Sequence, residues 1–529
     1  MKRLHSFSAL SAVTMFGAVA LVAQTVLLRR FFWRFESAEI GVALFLSCWL
    51  LWSGVGAAMA ATPFGRRLTG YRSSFVWMLV ALCVALYFAQ YALIENVRGW
   101  LGIPEYQTFP LAHLVLGCLL ANAPFCFVAG FVIHTACRRF AHLGIPVTRA
   151  FAWEALGAAV GGLGVTALIV CGLPPDPRDV TEWFRYFPQA VECPGRFETG
   201  GGTTFYGSHG GTFYALSSGG VREILPEGDR AMELAALVLS QRPYAKEVLL
   251  AGRVPLAAGL ALETLRPDLV ITWCPCDASY GVSLLGVTRA GGLQTGIVAA
   301  GQSPQQFFNT CLEASFDAVL VALPPAISLE GAAWRGAEFA NRVRRVTRRT
   351  GVALFGLDCE EAALTPEKEA LLATTVRGVR QAWPESGVFA PGAGGWWIAA
   401  QVPGLAYEAA SAATRFAMLK QKVFPTEAVA RLYDPVRAQQ WAQLIAVLNP
   451  SEAVFLLEGT RTEEVLATGL ADAVRREYPE TTPGEWLAWL KSQNSVGWGG
   501  LLLVVLWMTP VALGGGAHAP RRLLAAWLA

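Results

Sequence analysis

Five runs in the first third of this chain are long and apolar enough to cross a lipid bilayer, a crossing that takes about 20 apolar residues. They fall at 7–28, 40–62, 75–94, 111–136 and 150–172. The first three hold no charge, the fourth adds only His113 and His134, and the fifth only Glu154. A sixth run, 495–513 (SVGWGGLLLVVLWMTPVAL), lies near the C-terminus. The chain is therefore expected to be an integral membrane protein. Composition agrees: 54% of residues are apolar and 15% charged, where a soluble surface usually needs about 25% charged. An ordinary cytosolic enzyme, a disordered chain and a small disulfide-stapled domain are all excluded.

Charge is divided unevenly. Residues 1–172 carry twelve Lys and Arg against five Asp and Glu, while the remainder carries thirty against thirty-four. A positive excess confined to membrane segments is a topology signal and not a nucleic-acid footprint. With the N-terminus inside, the inner ends hold Lys2, Arg3, Arg66, Arg67, Arg72, Arg138, Arg139, Arg149, Arg521 and Arg522, and the outer loops hold Arg29, Arg30, Arg34 and Arg98. Five crossings then place 173–494 on the outer side, the periplasm in a Gram-negative host. The opening Lys2 and Arg3 resemble a signal peptide, but the run is too long and reaches Arg29 and Arg30 without a small-residue cleavage site.

In the fifth run, Gly157, Gly161 and Gly164 with Ala158 form a smooth stripe that lets another helix approach closely. Glu154 is by default a functional candidate inside a membrane. Against that stands a place at headgroup level or a pairing with Arg149. His113 and His134 read as interfacial.

Beyond 172 the pattern changes. A Pro-rich linker, 173–188, leads to short β-like runs between glycines at 189–225. DRAMELAALVLSQ (229–241) has helical spacing. EVLLAG (247–252), DLVITW (268–273), FDAVLVALPP (316–325) and GVALFGL (351–357) read as strands, with a helix-like stretch at 256–265. Strands alternating with helices predict a parallel, doubly wound sheet. Residues 405–494 read as mostly helical. The expected domains are a five-helix membrane domain over 1–172, a linker and small β unit over 173–228, a Rossmann-like domain over 229–404, a helical closing segment over 405–494, and a C-terminal membrane helix and tail over 495–529.

Several stretches resemble one family in order along the chain. AQTVLLRRFFWRFESAEIGVALFLSCWLLWSGVGA is similar to the first two membrane helices of bacterial membrane-bound spermidine synthase-like proteins, and FAWEALGAAVGGLG to their fifth. VECPGRFET resembles the start of their small β domain, and FYALSSGGVREILPEGD the hairpin before their catalytic fold. The resemblance implies a Rossmann-like, methyltransferase-type aminopropyltransferase fold that uses decarboxylated S-adenosylmethionine to build polyamines.

At the site the chain departs from that family. The resembling proteins carry a G-G-G-x-G-G loop after the first strand, where the backbone must approach the cofactor. Here the loop reads AGRVPLAAG, so Gly252 remains and Arg253, Val254, Pro255 and Leu256 fill the rest. The acid that would hold a ribose is replaced by Thr272. No acid follows at Val298-Ala299-Ala300-Gly301. The family's D-x-x-D-P segment reads Ala322-Leu323-Pro324-Pro325-Ala326. A polyamine site without carboxylates has neither attraction for a dication nor a general base. The Tyr-His pair that often follows the hairpin is absent near Asp229–Glu233. No residue is accordingly assigned a catalytic, cofactor-binding or metal-ligating role.

Other constellations have plainer readings. Cys48, Cys83, Cys118, Cys126, Cys137 and Cys171 lie in or beside the membrane runs and read as small apolar residues. Cys193, Cys274, Cys276, Cys311 and Cys359 belong to the soluble part. Cys274-Pro-Cys276 is a candidate redox or metal pair, yet two ligands without C-x-x-C spacing do not make a zinc site. A disulfide among the five is open if the domain is periplasmic. The basic run Arg342, Arg344, Arg345, Arg348 and Arg349 reads as a solvated helix face, and Trp396-Trp397 as strand core. The expected function is a catalytically inactive, spermidine synthase-like subunit of a bacterial inner-membrane complex, with the bilayer and a protein as partners and no nucleic acid. The alternatives are an active aminopropyl- or methyl-transferase with a rearranged site, and a transport component.

Overall fold

The computed structural model describes residues 2–35, 39–69, 73–103, 111–170, 195–199, 202–217, 220–226, 228–356, 365–383, 386–389, 396–400, 409–433 and 462–477, with the single positions 436 and 439. The expected span at 495–513, the linker, Cys171, Cys193 and Cys359 lie outside the described residues. These residues fall into two compact units, one within 1–179 and one within 180–489.

The first unit is helical: α1 (Lys2–Phe35), α2 (Glu39–Ala61), the short α3 (Pro63–Thr69), α4 (Ser73–Trp100), α5 (Leu111–His142) and α6 (Val147–Val170). Five of these are long and apolar enough to cross a membrane, over Phe7–Phe31, Gly41–Ala61, Phe75–Trp100, His113–His142 and Val147–Ala167. Two pairs pack backbone to backbone. A Cβ on Gly157 would lie 1.9 Å from the Thr14 carbonyl oxygen, one on Gly161 2.6 Å from that of Ala18, and one on Gly17 2.1 Å from that of Glu154. Thus the glycine stripe of α6 receives α1. Gly164 takes no part, since a Cβ there meets nothing. Between α2 and α5, Gly56 and Gly130 each leave only 1.8 Å to the partner's carbonyl. Such close approach is how membrane helices gain packing without a hydrophobic driving force. Phe31, Phe45, Trp49 and Phe125 fill the interior, and Cys48, Cys83, Cys118 and Cys126 are buried among them.

The helices run further than the apolar runs, which corrects the loop assignment of four arginines. Arg29, Arg30 and Arg34 lie within α1 and Arg98 within α4. Arg30 forms a buried ion pair with Glu95 of α4, with side-chain exposures of 8% and 6%, and sits 5.6 Å from the Tyr91 ring centre. Deeper in the bundle, Gln90 donates to Asn122 (3.1 Å), both fully buried. Pairing is what makes charges tolerable there.

The second unit opens with an antiparallel meander, β1 (Gly195–Thr199), β2 (Gly202–His209), β3 (Thr212–Ser217) and β4 (Gly220–Leu225). Gly210 and Gly211, with φ of +57° and +80°, close the β2–β3 hairpin in the left-handed conformation a two-residue turn demands. The core then alternates: α7 (Asp229–Gln241), β5 (Glu247–Gly252), α8 (Leu256–Leu265), β6 (Val270–Pro275), α9 (Ala278–Ala290), β7 (Val298–Ala299), α10 (Pro304–Thr310), β8 (Phe316–Ala322), α11 (Leu329–Ala333), α12 (Ala337–Val346), β9 (Thr347–Gly356), α13 (Pro366–Ala382), β10 (Ser386–Phe389) and β11 (Trp396–Ala400). Helices α14 (Ala409–Ala417), α15 (Thr426–Leu432) and α16 (Thr462–Glu477) follow.

The sheet order is β10-β11-β9-β8-β5-β6-β7. Strands β5 to β9 are parallel and β11 runs against β9. The reversed strand between the last parallel strand and the edge marks the methyltransferase-type variant of the Rossmann-like sheet. Trp396 and Trp397 are in β11, as strand residues were expected to be.

The basic run is not one helix face. α12 ends at Val346, because its apolar positions Phe339, Ala340, Val343 and Val346 end there, and Arg348 and Arg349 belong to β9. Arg348 pairs with Asp317 (2.8 Å) and Glu247 (3.4 Å) across the sheet. Arg345 donates to the carbonyl oxygen of Asn309 (3.1 Å). Tyr433 closes the domain, its hydroxyl 2.6 Å from both Ser240 Oγ and Gln241 Nε2.

Candidate functional site

In an open α/β sheet, ligands bind beyond the carboxyl ends of the strands, where the order reverses. Here that point lies between β5 and β8. The β5–α8 loop begins at Gly252, whose φ of +80° only glycine adopts freely. A Cβ on Gly252 would also stand 2.2 Å from the Ala322 oxygen and 2.7 Å from Cζ3 of Trp334. Trp334, just after α11, is 2% exposed and stacks on Phe339 with ring centres 4.6 Å apart. Its indole therefore lies directly over the glycine.

The rest of the loop is turned inward. Arg253 N–H donates to the Ala322 carbonyl (2.9 Å). Val254 and Leu256 are buried in the core, and the Val254 carbonyl accepts from Trp273 Nε1 (2.9 Å). A helix N-terminus presents free N–H groups that readily take an anion. At α8 the Leu256 N–H donates to Oε1 of Glu223 (3.1 Å), a buried carboxylate supplied by β4. The meander thus supplies an anion to the N-terminus of α8.

Thr272 lies inside β6 opposite Leu249, and the strand runs on to Pro275 opposite Gly252. Asp277, two residues beyond this tip, caps α9 by accepting from Tyr280 N–H (3.1 Å) and Ser279 Oγ (2.6 Å). After β8, Leu323 and Ala326 are buried. Arg335 folds this segment, donating to the carbonyls of Pro324 (2.8 Å) and Gly331 (2.6 Å).

Burial raises both soluble-unit thiols of the C-P-C pair, Cys274 to about 12 and Cys276 to about 11, with the carboxylate of Glu330 adding to each. Protonated thiols at neutral pH are poor nucleophiles and poor ligands. Among the described residues no three His, Cys, Asp or Glu are placed to hold a metal ion.

A cavity of about 410 Å³ opens beside α11, lined by Ser303, Gln305, Leu329, Glu330, Ala333 and Thr462. It offers one carboxylate, two hydroxyls and one amide. Glu330 and Glu223 escape a motif search: each lies outside the family's acidic positions and is brought to the site only by the fold. Val254 is in the loop, Thr272 in β6 and Ala322 at the end of β8, whereas Leu256 opens α8 and Pro325 lies beyond β8, which stops three residues short of the strand expected over 316–325; none of the five brings an acid to the site.

No protein-family model matches the chain, and no curated protein matches it. Solved structures of low identity do. A spermidine synthase in complex with the transition-state analogue AdoDATO is 11% identical over 48% of this chain and 87% of its own, with a TM-score of 0.34. The Thermotoga maritima spermidine synthase is 12% identical over 48% and 87%, at 0.34. A probable spermidine synthase from Corynebacterium glutamicum is 10% identical over 42% and 87%, at 0.33. At such values the likeness carries nothing about chemistry, and the fold class rests on the strand order itself.

Proposed function

We propose that this chain is a membrane protein whose soluble unit keeps a spermidine synthase-like fold without its chemistry, and that it serves as a structural or docking subunit of a membrane complex. The observation that carries this reading is the Trp334 indole seated over Gly252. An S-adenosyl donor does not fit the residues present: the glycine cradle is covered, the anion position at Leu256 is taken by Glu223, and Thr272, Ala322 and Pro325 supply no carboxylate.

The test is titration of the purified full chain with S-adenosylmethionine and with its decarboxylated form. Neither is expected to bind, and putrescine is expected to go unconverted. Measurable spermidine formation by the wild-type protein sinks the reading. It would favour the active-transferase alternative, for which Glu330 in the cavity supplies the one acid at hand.

The proposed location is a bacterial inner membrane, with the soluble unit on the periplasmic side. Supporting it are five helices long and apolar enough to cross a membrane among the described residues, and Asp176, Arg178, Asp179, Glu182 and Arg185, which crowd 173–188 with charge. A cysteine introduced within 173–190 is expected to react with a membrane-impermeant reagent in intact cells. Labelling only after lysis places the unit in the cytoplasm and overturns the topology.

A further inference from the structure

Helix α16 rests on the segment that follows β8. A Cβ on Gly469 would stand 2.3 Å from the Ala326 carbonyl oxygen and 2.6 Å from its carbon, so the two backbones touch. Val465, Thr468 and Ala471 are buried along the same helix. Val465 and Leu466 pack with Ala326, Ala332 and Leu371 in a small apolar cluster, separate from both faces of the sheet. Two polar contacts tie α16 to the start of α13. Arg475 Nη2 donates to Glu367 Oε1 (2.9 Å) while its Nε stands 2.7 Å from Oε2, and Glu367 is 4% exposed. Thr365 Oγ1 donates to Asp472 Oδ1 (2.5 Å), with Asp472 5% exposed. At its other end, Thr462 forms part of the cavity rim.

We propose that α16 is an intrachain strap that holds the carboxyl end of the sheet closed over residues 323–333, with Arg475–Glu367 and Thr365–Asp472 as its fastenings. The strap extends the reading of a closed site by naming what keeps it closed. Among the described residues α16 packs chiefly on α11, on α13 and on the segment after β8, and not on the strands themselves. It can therefore lift without dismantling the strands. A charge-assisted arginine–carboxylate hydrogen bond is among the stronger ones, and this one sits at the end of α16 away from the cavity.

The test uses hydrogen exchange on the full chain in detergent micelles, and its sign decides. Glycine to alanine inside an unhindered helix stabilises it, slowing exchange about five-fold. In Gly469→Ala the new methyl is instead driven into Ala326. Exchange across 323–333 and 462–477 is expected to rise at least ten-fold while β5 and β8 stay protected. Slower exchange in 462–477 with 323–333 unchanged overturns the strap. A rise that spreads through β5 and β8 overturns it as well, because α16 would then be part of the core. The paired variant Asp472→Ala with Arg475→Met releases the fastenings and leaves the Thr365 cap on α13 intact. It is expected to raise exchange in the same two segments, and no rise there overturns the fastenings. Titrating Gly469→Ala with S-adenosylmethionine separates the two ideas: binding by the lifted variant removes the reading of a lost site and leaves the strap standing.

Discussion

Replacing Trp334 with alanine is expected to destabilise the soluble unit by about 3–5 kcal/mol, the usual cost of emptying a buried aromatic site. The ring is 2% exposed, stacked on Phe339 and pressed against Gly252. The space it leaves is walled by the β5 and β8 termini, strands paired on both sides, so it cannot collapse cheaply. Thermal unfolding of the full chain, followed through the soluble unit, is expected to move down by on the order of 10 °C. Trp153→Ala, at an outward position on α6 that is 37% exposed, should leave that transition in place. A loss below about 1 kcal/mol for Trp334→Ala means the indole is not a packed element of the site. The variant also separates occlusion from lost chemistry. Removing the ring opens the space over Gly252 but returns no carboxylate, so donor binding is expected to remain undetectable.

What the sequence revealed and what it hid differ in range. EVLLAG is an unbroken apolar run, and β5 spans those residues, because a strand buried on both faces needs no polar alternation. DRAMELAALVLSQ became α7 with the same bounds, since its spacing and length leave no other element. The adjacent glycines at 210–211 marked a turn that only they adopt easily. By contrast, RRVTRRTGV reads as the end of one helix, and most of it is strand. Its division at Thr347 is set by the pairing of Phe316 with Thr347 and of Asp317 with Arg348, which local propensity does not encode.

The same limit governs the candidate site. The departures at Val254, Thr272 and Ala322 from the motifs of the resembling proteins were legible in short stretches. The groups that stand in their place were not. Glu223 reaches Leu256 from 33 residues away, and Trp334 meets Gly252 only because α11 turns back over β8. In the helical unit, hydropathy ended the first span before Arg29, since a lone arginine in an apolar run reads as a boundary. The helix continues because Glu95, 65 residues on, neutralises Arg30.

That ion pair makes the bundle's stability depend on both partners. Glu95→Ala is expected to cost about 3–5 kcal/mol, because it removes the carboxylate that balances a guanidinium in a site with 8% exposure. Unfolding of the full chain in mixed micelles with rising denaturing detergent measures it, read as a lower midpoint for the helical unit. Arg30→Met alone should cost a similar amount, through the buried carboxylate left behind. The double variant Arg30→Met with Glu95→Leu carries no charge and fills much of the same volume. It is expected to fall within about 1 kcal/mol of the wild type or above it, since a buried pair seldom outweighs its own desolvation. Strong coupling of this kind requires contact. If the two single losses simply add in the double variant, the residues do not meet in the folded bundle, and no ion pair joins α1 to α4 there.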